Sequence, residues 1–451
     1  MPAHIVDRKI QKIFLLSFYP PFVEFILFCV YSTGVDIFLS SAEGVFSLQL
    51  SFNPVETLAF ACALLWVGFR LVERVGVLYR YNIPAPVVGG GLFSLANLLL
   101  RSAGVEITFD TVLKDYMMIA FFSTIGFGAS VRLLKKGGPA VAVFLVVASV
   151  LVVLQDLVSW GLSIATGFNP ILGLLAGSVT MSGGHGTGAT FAAYFTEAYH
   201  VEGAMELAMA AATFGLVSGS LIGGPVARRL IERFSLKPRP EDQLEPIEPV
   251  TEELHDRMDQ PTTTETMVVS IFQIALAMSV GALLLAFFKD HGIKMPTYLC
   301  ALFVGIIIRN LADFTGLYKV NMPMIEQLGG VALYIFLAMA LMSLQLWQLV
   351  GVAGPLLVIL LGQVLLMILF AYFVTFNFNG RDYNAAVLAA GHCGFGLGAT
   401  PNAIANMQAV TLKYGHAPRA FFTVSIVGAF FIDIVNSFVI QAFASMMAKG
   451  L

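Results

Sequence analysis

Two glycine-rich segments concentrate the residue types in this chain best suited to holding a ligand, and they share one form. The first is Ser182-Gly183-Gly184-His185-Gly186-Thr187-Gly188-Ala189-Thr190; the second is Cys393-Gly394-Phe395-Gly396-Leu397-Gly398-Ala399-Thr400, with Gly184 and Gly394 210 positions apart. Each interrupts an apolar run in which unbroken helix would otherwise continue. Glycine lets backbone N–H groups approach a ligand closely, and a helix restarting after a break aims partial positive charge at an anion. The binding residues expected on this basis are Ser182, Gly184, His185, Gly186, Thr187, Gly188 and Thr190, with Gly394, Gly396, Gly398, Thr400, Asn402 and Asn406. Such a cradle holds carboxylates without burying many fixed positive charges. The competing reading is close helix packing through small residues. It accounts readily for one copy and less well for two in register.

Ionisable residues inside apolar spans cost roughly 2.5–3.5 kcal/mol each to insert, so they are functional candidates. Asp433 lies within Phe-Phe-Ile-Asp-Ile-Val-Asn, with Asn436 three positions on and therefore on the same helix face. A carboxylate, an amide and backbone carbonyls suit a hard cation such as Na+; a structural hydrogen bond between helices is the alternative. Gln155 and Asp156 sit mid-span in Leu-Val-Val-Leu-Gln-Asp-Leu-Val. They stand open between ion binding and structural polar contact. Glu206 and Arg309 fall near span ends, where an interfacial place and snorkelling account for them. His185 and His392 read either as neutral donors or as groups that carry protons near neutral pH.

Several chemistries are excluded. No His-Glu-x-x-His, paired catalytic carboxylates, Ser–His–Asp order or P-loop is present, so the chain reads as neither an enzyme nor an ATP-driven pump. Gly184–Ala189 and Gly394–Ala399 formally fit the dinucleotide fingerprint, but that motif needs a preceding strand in a βαβ unit, and here a membrane-length apolar run precedes it. Cys29, Cys62, Cys300 and Cys393 stand singly in apolar surroundings and read as small buried hydrophobes. No cofactor is expected beyond Na+ as a coupling ion. The net charge of −3 suggests no nucleic-acid partner.

The elements that must position these residues are membrane spans. Of 451 residues 58% are hydrophobic and 12% charged, against roughly 25% charged in soluble domains; mean hydropathy is +0.83. The pattern predicts an all-α polytopic membrane protein embedded in lipid, with spans near 13–33, 54–72, 84–101, 115–132, 139–166, 203–231, 266–288, 294–312, 327–347, 354–377 and 419–446. The segments 170–196 and 383–412 read as re-entrant hairpins, each an apolar arm, a glycine break and a more polar arm. Residues 54–232 and 266–448 repeat one order of parts: five spans, with the hairpin before the last. An odd number of spans inverts the second repeat relative to the first, so the hairpins enter from opposite sides and meet near the midplane, the arrangement of an alternating-access transporter. Residues 1–50 form an extension with one extra helix, for which a cleaved signal peptide is the alternative. Residues 233–265 are a Pro- and Glu-rich polar linker. With the N-terminus in the cytoplasm, most Lys and Arg fall inside, among them Arg70, Arg80, Lys135, Arg228 and Arg233, and the linker is cytoplasmic.

Both glycine segments carry a resemblance. Leu174–Ala189 and Ala385–Val410 resemble the two hairpins of bacterial sodium/glutamate symporters, and Ala212–Arg228 and Val427–Val435 resemble their closing spans. The likeness extends over about 54–446, nearly the whole repeated core. It implies Na+-driven symport of L-glutamate across the bacterial inner membrane, two inverted five-helix repeats with opposed hairpins, and a homodimer. A related Na+- or H+-coupled carrier of another dicarboxylate or amino-acid anion is the alternative; a channel or sensor on the same fold is a third. Two features depart from the family pattern: the extension 1–50, and Asp156, where a neutral amide is expected.

Overall fold

The computed structural model describes residues 36–42, 45–102, 104–136, 138–238, 263–291, 296–346 and 352–448. The expected span 13–33 and most of the linker 233–265 lie outside the described residues.

Helices fill the first repeat in the expected order. They are α1 (Pro54–Arg74), a short α2 (Gly76–Arg80), α3 (Ala85–Ser102), α4 (Val112–Gly128), a short α5 (Val131–Lys136) and α6 (Gly138–Thr166). The broken run α7 (Pro170–Leu175), α8 (Ser178–Met181) and α9 (Gly184–Tyr199) follows, then α10 (Ala204–Phe234). The second repeat gives α11 (Thr264–Asp290), α12 (Thr297–Thr315), α13 (Met322–Met342) and α14 (Ala353–Phe370). A π turn (Ala371–Thr375) extends α14 into α15 (Phe376–Phe378). The broken run α16 (Tyr383–Gly396) and α17 (Thr400–Tyr414) comes next, then α18 (Pro418–Ile426), a second π turn (Val427–Phe431) and α19 (Ile432–Ala448). Among the described residues seven helices are long and apolar enough to cross a membrane: α1, α6, α10, α11, α12, α13 and the rod Ala353–Phe378. Shorter apolar helices cover Ala85–Arg101, Pro170–Met181 and Ile432–Met447. Outward faces are apolar, as with Phe272 and Leu283 on α11, which suits lipid rather than water.

The all-α expectation needs one correction. β1 (Asp36–Ala42), β2 (Val45–Phe52) and β3 (Val105–Phe109) form a sheet in the order β1-β2-β3, the first pair antiparallel and the second parallel. The alternation in Val-Phe-Ser-Leu-Gln-Leu-Ser-Phe is the signal for β2. The sheet has a positional consequence. Phe52 pairs with Phe109, and Asp110 N donates to the Phe52 carbonyl at 3.1 Å. β2 and β3 therefore deliver α1 and α4 to the membrane side by side, and Asn53 starts α1 with a capping box closed by Glu56.

Two bundles form, each from helices of both halves of the chain. The first holds α1, α3, α4, α11, α12 and α13. Its helices approach closely at glycines: Gly126 of α4 on the Leu302 carbonyl of α12, Gly90 of α3 on Leu341 of α13, and Gly281 of α11 on Ala301. α3 thus packs on α13, and α4 on α12. The α4 terminus shows the same cross-pairing. There Asn310 Nδ2 donates to the Ala129 carbonyl at 2.8 Å, and its Oδ1 accepts from Val131 N at 2.9 Å. Arg309 does not snorkel; its Nε donates to Asp313 at 3.1 Å, and Ser130 Oγ donates to the same carboxylate oxygen at 2.5 Å.

The second bundle holds α6 to α10 and α14 to α19. Gly215, Gly219 and Gly223 line one face of α10 at helical spacing and receive the second hairpin: Gly215 faces the Leu397 carbonyl, Gly219 the Cys393 carbonyl and Gly223 Asn406. A Cβ at Gly219 would lie 2.8 Å from the Cys393 oxygen, a backbone atom that cannot swing aside. Gly219→Val is expected to lower stability by about 1–3 kcal/mol through overpacking. Gly330→Ala on α13, where nothing lies within 4 Å, is expected to be neutral or to gain up to ~1 kcal/mol. Thermal unfolding of the purified protein in detergent checks both, and equal midpoints for the two variants would contradict this packing.

Candidate substrate and ion site

The first hairpin breaks twice. Asn169 caps α7, accepting from Ile171 N and Leu172 N, with Pro170 at the first helical position. The helix stops at Ala176–Gly177, resumes for Ser178–Met181, and stops again at Ser182–Gly183. Gly184 restarts it with φ +62°, in the left-handed region that a side chain would strain. A Cβ on Gly184 would lie 2.9 Å from the Gly398 carbonyl oxygen. The two glycine segments, far apart in sequence, therefore touch.

Gln155 joins them. It is fully buried in α6, donates Nε2 to the Gly396 carbonyl at 2.6 Å and accepts from Ser182 Oγ at 2.7 Å through Oε1. Its own carbonyl accepts from Gln363 Nε2 of α14 at 2.7 Å. One amide thereby satisfies a loose backbone carbonyl of the second break and a hydroxyl of the first.

The closing span meets the second tip as well. Thr400 Oγ1 donates to the Gly428 carbonyl at 2.8 Å, and Gly428 lies in the π turn Val427–Phe431. π turns leave backbone carbonyls outside the regular ladder and recur at functional sites.

Other expected residues divide between tip and packing. His185 Nε2 lies 3.0 Å from Thr213 Oγ1, and that hydroxyl donates to the Met209 carbonyl at 2.8 Å. Thr213 therefore accepts, and His185 donates through Nε2. Gly186 faces Phe121 and Leu333 of the other bundle, while Gly188 packs on Thr180 and Met209. Thr187 is buried near Gly183, and Thr190 Oγ1 is buried without a partner. Gly394 packs on the Ala403 backbone, and Gly396 on Met367 and Leu151. Asn402 Nδ2 donates to the Leu216 carbonyl and to Ser220 Oγ, both at 2.9 Å; Asn406 Nδ2 donates to the Gly219 carbonyl at 2.9 Å. Both amide nitrogens thus fasten the second hairpin to α10. His392 braces its tip from behind: Nδ1 lies 2.8 Å from Thr375 Oγ1, and the ring stacks on Phe395 with centroids 4.9 Å apart.

The four ion-site candidates do not gather at one point. Gln155 faces the tips. Asp156, its neighbour, points elsewhere: Oδ1 accepts from Ser178 N at 2.7 Å, and Oδ2 is buried without a partner. Asn436 Nδ2 donates to the Ser178 carbonyl at 3.1 Å. Asp433 is half-buried, and among the described residues its carboxylate makes no hydrogen bond or ion pair. Glu206, in the first turn of α10, is buried, and its Oε1 accepts from Gln345 N at 2.5 Å across the two bundles. Sequence reasoning missed Ser178, Thr213 and Gln363. Gln363, an amide inside Leu-Leu-Gly-Gln-Val-Leu-Leu, carries the same signal as Gln155.

Comparison with known proteins agrees with the resemblance. A family model described as sodium/glutamate symporter matches residues 50–416. The sodium/glutamate symporter of Escherichia coli (strain K12) is 47% identical over 394 residues, covering 87% of this chain and 97% of that protein. That of Haemophilus influenzae is 44% identical over 392 residues, covering 86% and 96%. Among solved structures, the sodium proton antiporter MjNhaP1 from Methanocaldococcus jannaschii has a TM-score of 0.39 at 14% identity, covering 88% of this chain and 98% of that one.

Replacing Gln155 by Leu keeps the bulk but strands the Ser182 hydroxyl and the Gly396 carbonyl. A buried polar group left unpaired costs about 1–3 kcal/mol, so Gln155→Leu is expected to lower the thermal midpoint in detergent by several degrees. An unchanged midpoint would show that Gln155 does not hold the tips together.

Proposed function

The chain belongs to the sodium/glutamate symporter family, and we propose from that premise that it carries L-glutamate into the cell with Na+ as the co-transported ion. It is a secondary transporter and not an enzyme, a multi-pass protein of the bacterial inner membrane. The observation that carries the mechanism is the contact of Gly184 with Gly398, bridged by Gln155.

The repeats are inverted on this reading, and the hairpins enter from opposite sides. The two ends of α10 support it. The base of the first hairpin leads directly into the start of α10, where Glu206 lies, and Tyr194 of that hairpin accepts from Gln441 near the end of α19. Tyr414, at the base of the second hairpin, donates to Glu232 near the end of α10 at 3.2 Å. α10 has 31 residues, about 46 Å at 1.5 Å per residue, so the two bases sit a membrane thickness apart. The tips meet between them.

The substrate cradle is Ser182 to Thr190 with Gly394 to Thr400, and Asn402 and Asn406 hold its second half in place. Backbone N–H groups and hydroxyls bind the substrate carboxylates. Asp433, with its unpaired carboxylate, supplies a cation contact beside Thr400 and the π-turn carbonyls. Access alternates as the hairpin bundle moves against the other six helices, across the surface where Gly186 meets Phe121 and where Phe191 stands edge-on to Tyr298. The assembly is a homodimer, as the family resemblance implies.

The test is uptake of radiolabelled L-glutamate into proteoliposomes under an imposed Na+ gradient, against matched K+ and pH gradients. Concentrative uptake with Na+ alone is expected. Uptake driven only by protons would replace Na+ as the coupling ion, and no uptake of glutamate with uptake of another dicarboxylate would replace the substrate. Asp433→Asn is expected to raise the Na+ concentration for half-maximal uptake at least several-fold; an unchanged Na+ dependence removes Asp433 from ion binding.

A further inference from the structure

We infer that Asp156, Ser178 and Asn436 form a buried site for a monovalent hard cation, separate from Asp433 and from the glycine tips. Three elements converge on one residue. From α6, Asp156 Oδ1 accepts the Ser178 N–H at 2.7 Å; from α19, Asn436 Nδ2 donates to the Ser178 carbonyl at 3.1 Å. Ser178 itself opens α8, between the two breaks of the first hairpin.

What these groups leave over defines the ligand. Among the described residues Asp156 Oδ2 and Asn436 Oδ1 are buried without a hydrogen-bond partner, the Ser178 hydroxyl lies against the Asp156 carboxylate, and the three residues are fully buried. The amide nitrogen of Asn436 is committed to a carbonyl, so its oxygen is the free end. Ser159 Oγ stands close by: a Cβ on Gly177 would lie 2.7 Å from Asp156 Oδ1 and 2.8 Å from Ser159 Oγ. Glycine at 177 is what lets the break approach the carboxylate. The set is oxygen only, one anionic and the rest neutral.

Charge balance selects the ion. Among the described residues no Lys, Arg or His pairs with Asp156. An unpaired carboxylate in the interior is expensive, and such groups are normally paired or hold a cation. One positive charge balances the site; a divalent ion would leave it overcharged, and softer metals prefer nitrogen and sulfur. Na+ is the ion that fits the symport reading, on which its identity, though not the site's existence, rests. The position has a mechanical meaning. An ion here ties α6, the first hairpin and α19 together, one residue from Gln155, which ties the tips. Cation occupancy and tip geometry are then linked, and the linkage is reciprocal.

The test uses the full-length protein in detergent, titrated with NaCl against choline chloride at constant ionic strength, reading the thermal unfolding midpoint. Na+ is expected to raise the midpoint of the wild type. Asp156→Asn keeps an acceptor for Ser178 N–H but removes the charge, and is expected to weaken the apparent Na+ affinity at least tenfold. Ser178→Ala and Asn436→Ala are expected to weaken it severalfold, and they carry the test if Asp156→Asn fails to elute as a folded protein. Wild-type Na+ response in folded Asp156→Asn overturns the site while leaving symport intact. A midpoint that follows pH and ignores Na+, with the pH response lost in Asp156→Asn, makes the occupant a proton and overturns a Na+ site. Na+ stabilisation that depends on Asp156 in a protein without Na+-driven glutamate uptake keeps the site and removes the symport reading.

Discussion

A helix broken inside a membrane leaves N–H and carbonyl groups that lipid cannot satisfy, and this architecture follows from how those groups are met. The answer at the centre is an amide. Gln155 reaches the Gly396 carbonyl with one end and the Ser182 hydroxyl with the other, while Gln363 satisfies its own backbone carbonyl from α14. Each break therefore depends on a side chain from an intact helix, and the intact helices must stand on either side of both breaks. That requirement explains why α6 and α14 pack together in the second bundle.

Glycine serves two purposes here, and the structure separates them. At Gly184 it supplies a left-handed turn at the point where one tip touches the other. At Gly215, Gly219 and Gly223 it clears a track on α10 along which the second hairpin lies backbone to backbone. The first use builds a cradle; the second builds a rigid body, fastened further by Asn402 and Asn406. A rigid hairpin on a rigid α10 is what an alternating-access carrier needs. On the proposed mechanism motion falls to the surface between bundles, where contacts include the edge of Phe191 on Tyr298 and the hydrogen bond from Gln345 N to Glu206.

The helices were legible because each is a long apolar run, and the hairpins because glycines interrupt such runs at corresponding places. The sheet was overlooked because β2 and β3 are short and lie against span entrances, where apolar residues read as the start of a helix. The direction of polar side chains was hidden for a different reason. Asn436 and Asp433 both lie in α19 and, three positions apart, differ by about 60° around its axis; Asn436 turns to Ser178, while the Asp433 carboxylate makes no hydrogen bond among the described residues. Gln155 and Asp156 are adjacent and so differ by about 100° around the helix axis. One serves the tips and the other Ser178, a division that spacing alone does not assign. The partner of Glu206, the Gln345 backbone, carries no sequence signal.

The adjacency of Gln155 and Asp156 has the larger consequence. A carrier must prevent its two solutes from moving independently, and the simplest physical means is one rigid element that reads both. α6 is such an element: consecutive residues contact the glycine tips and the Asp156–Ser178–Asn436 cluster, and both contacts end on the same broken hairpin. A cation beside Ser178 would reinforce the hydrogen bonds that already tie α8 to α6 and α19, and the tip that begins at Ser182 is only four residues further along. The carboxylate at Asp156, where a neutral amide was expected, adds a charge to this coupling without adding a moving part.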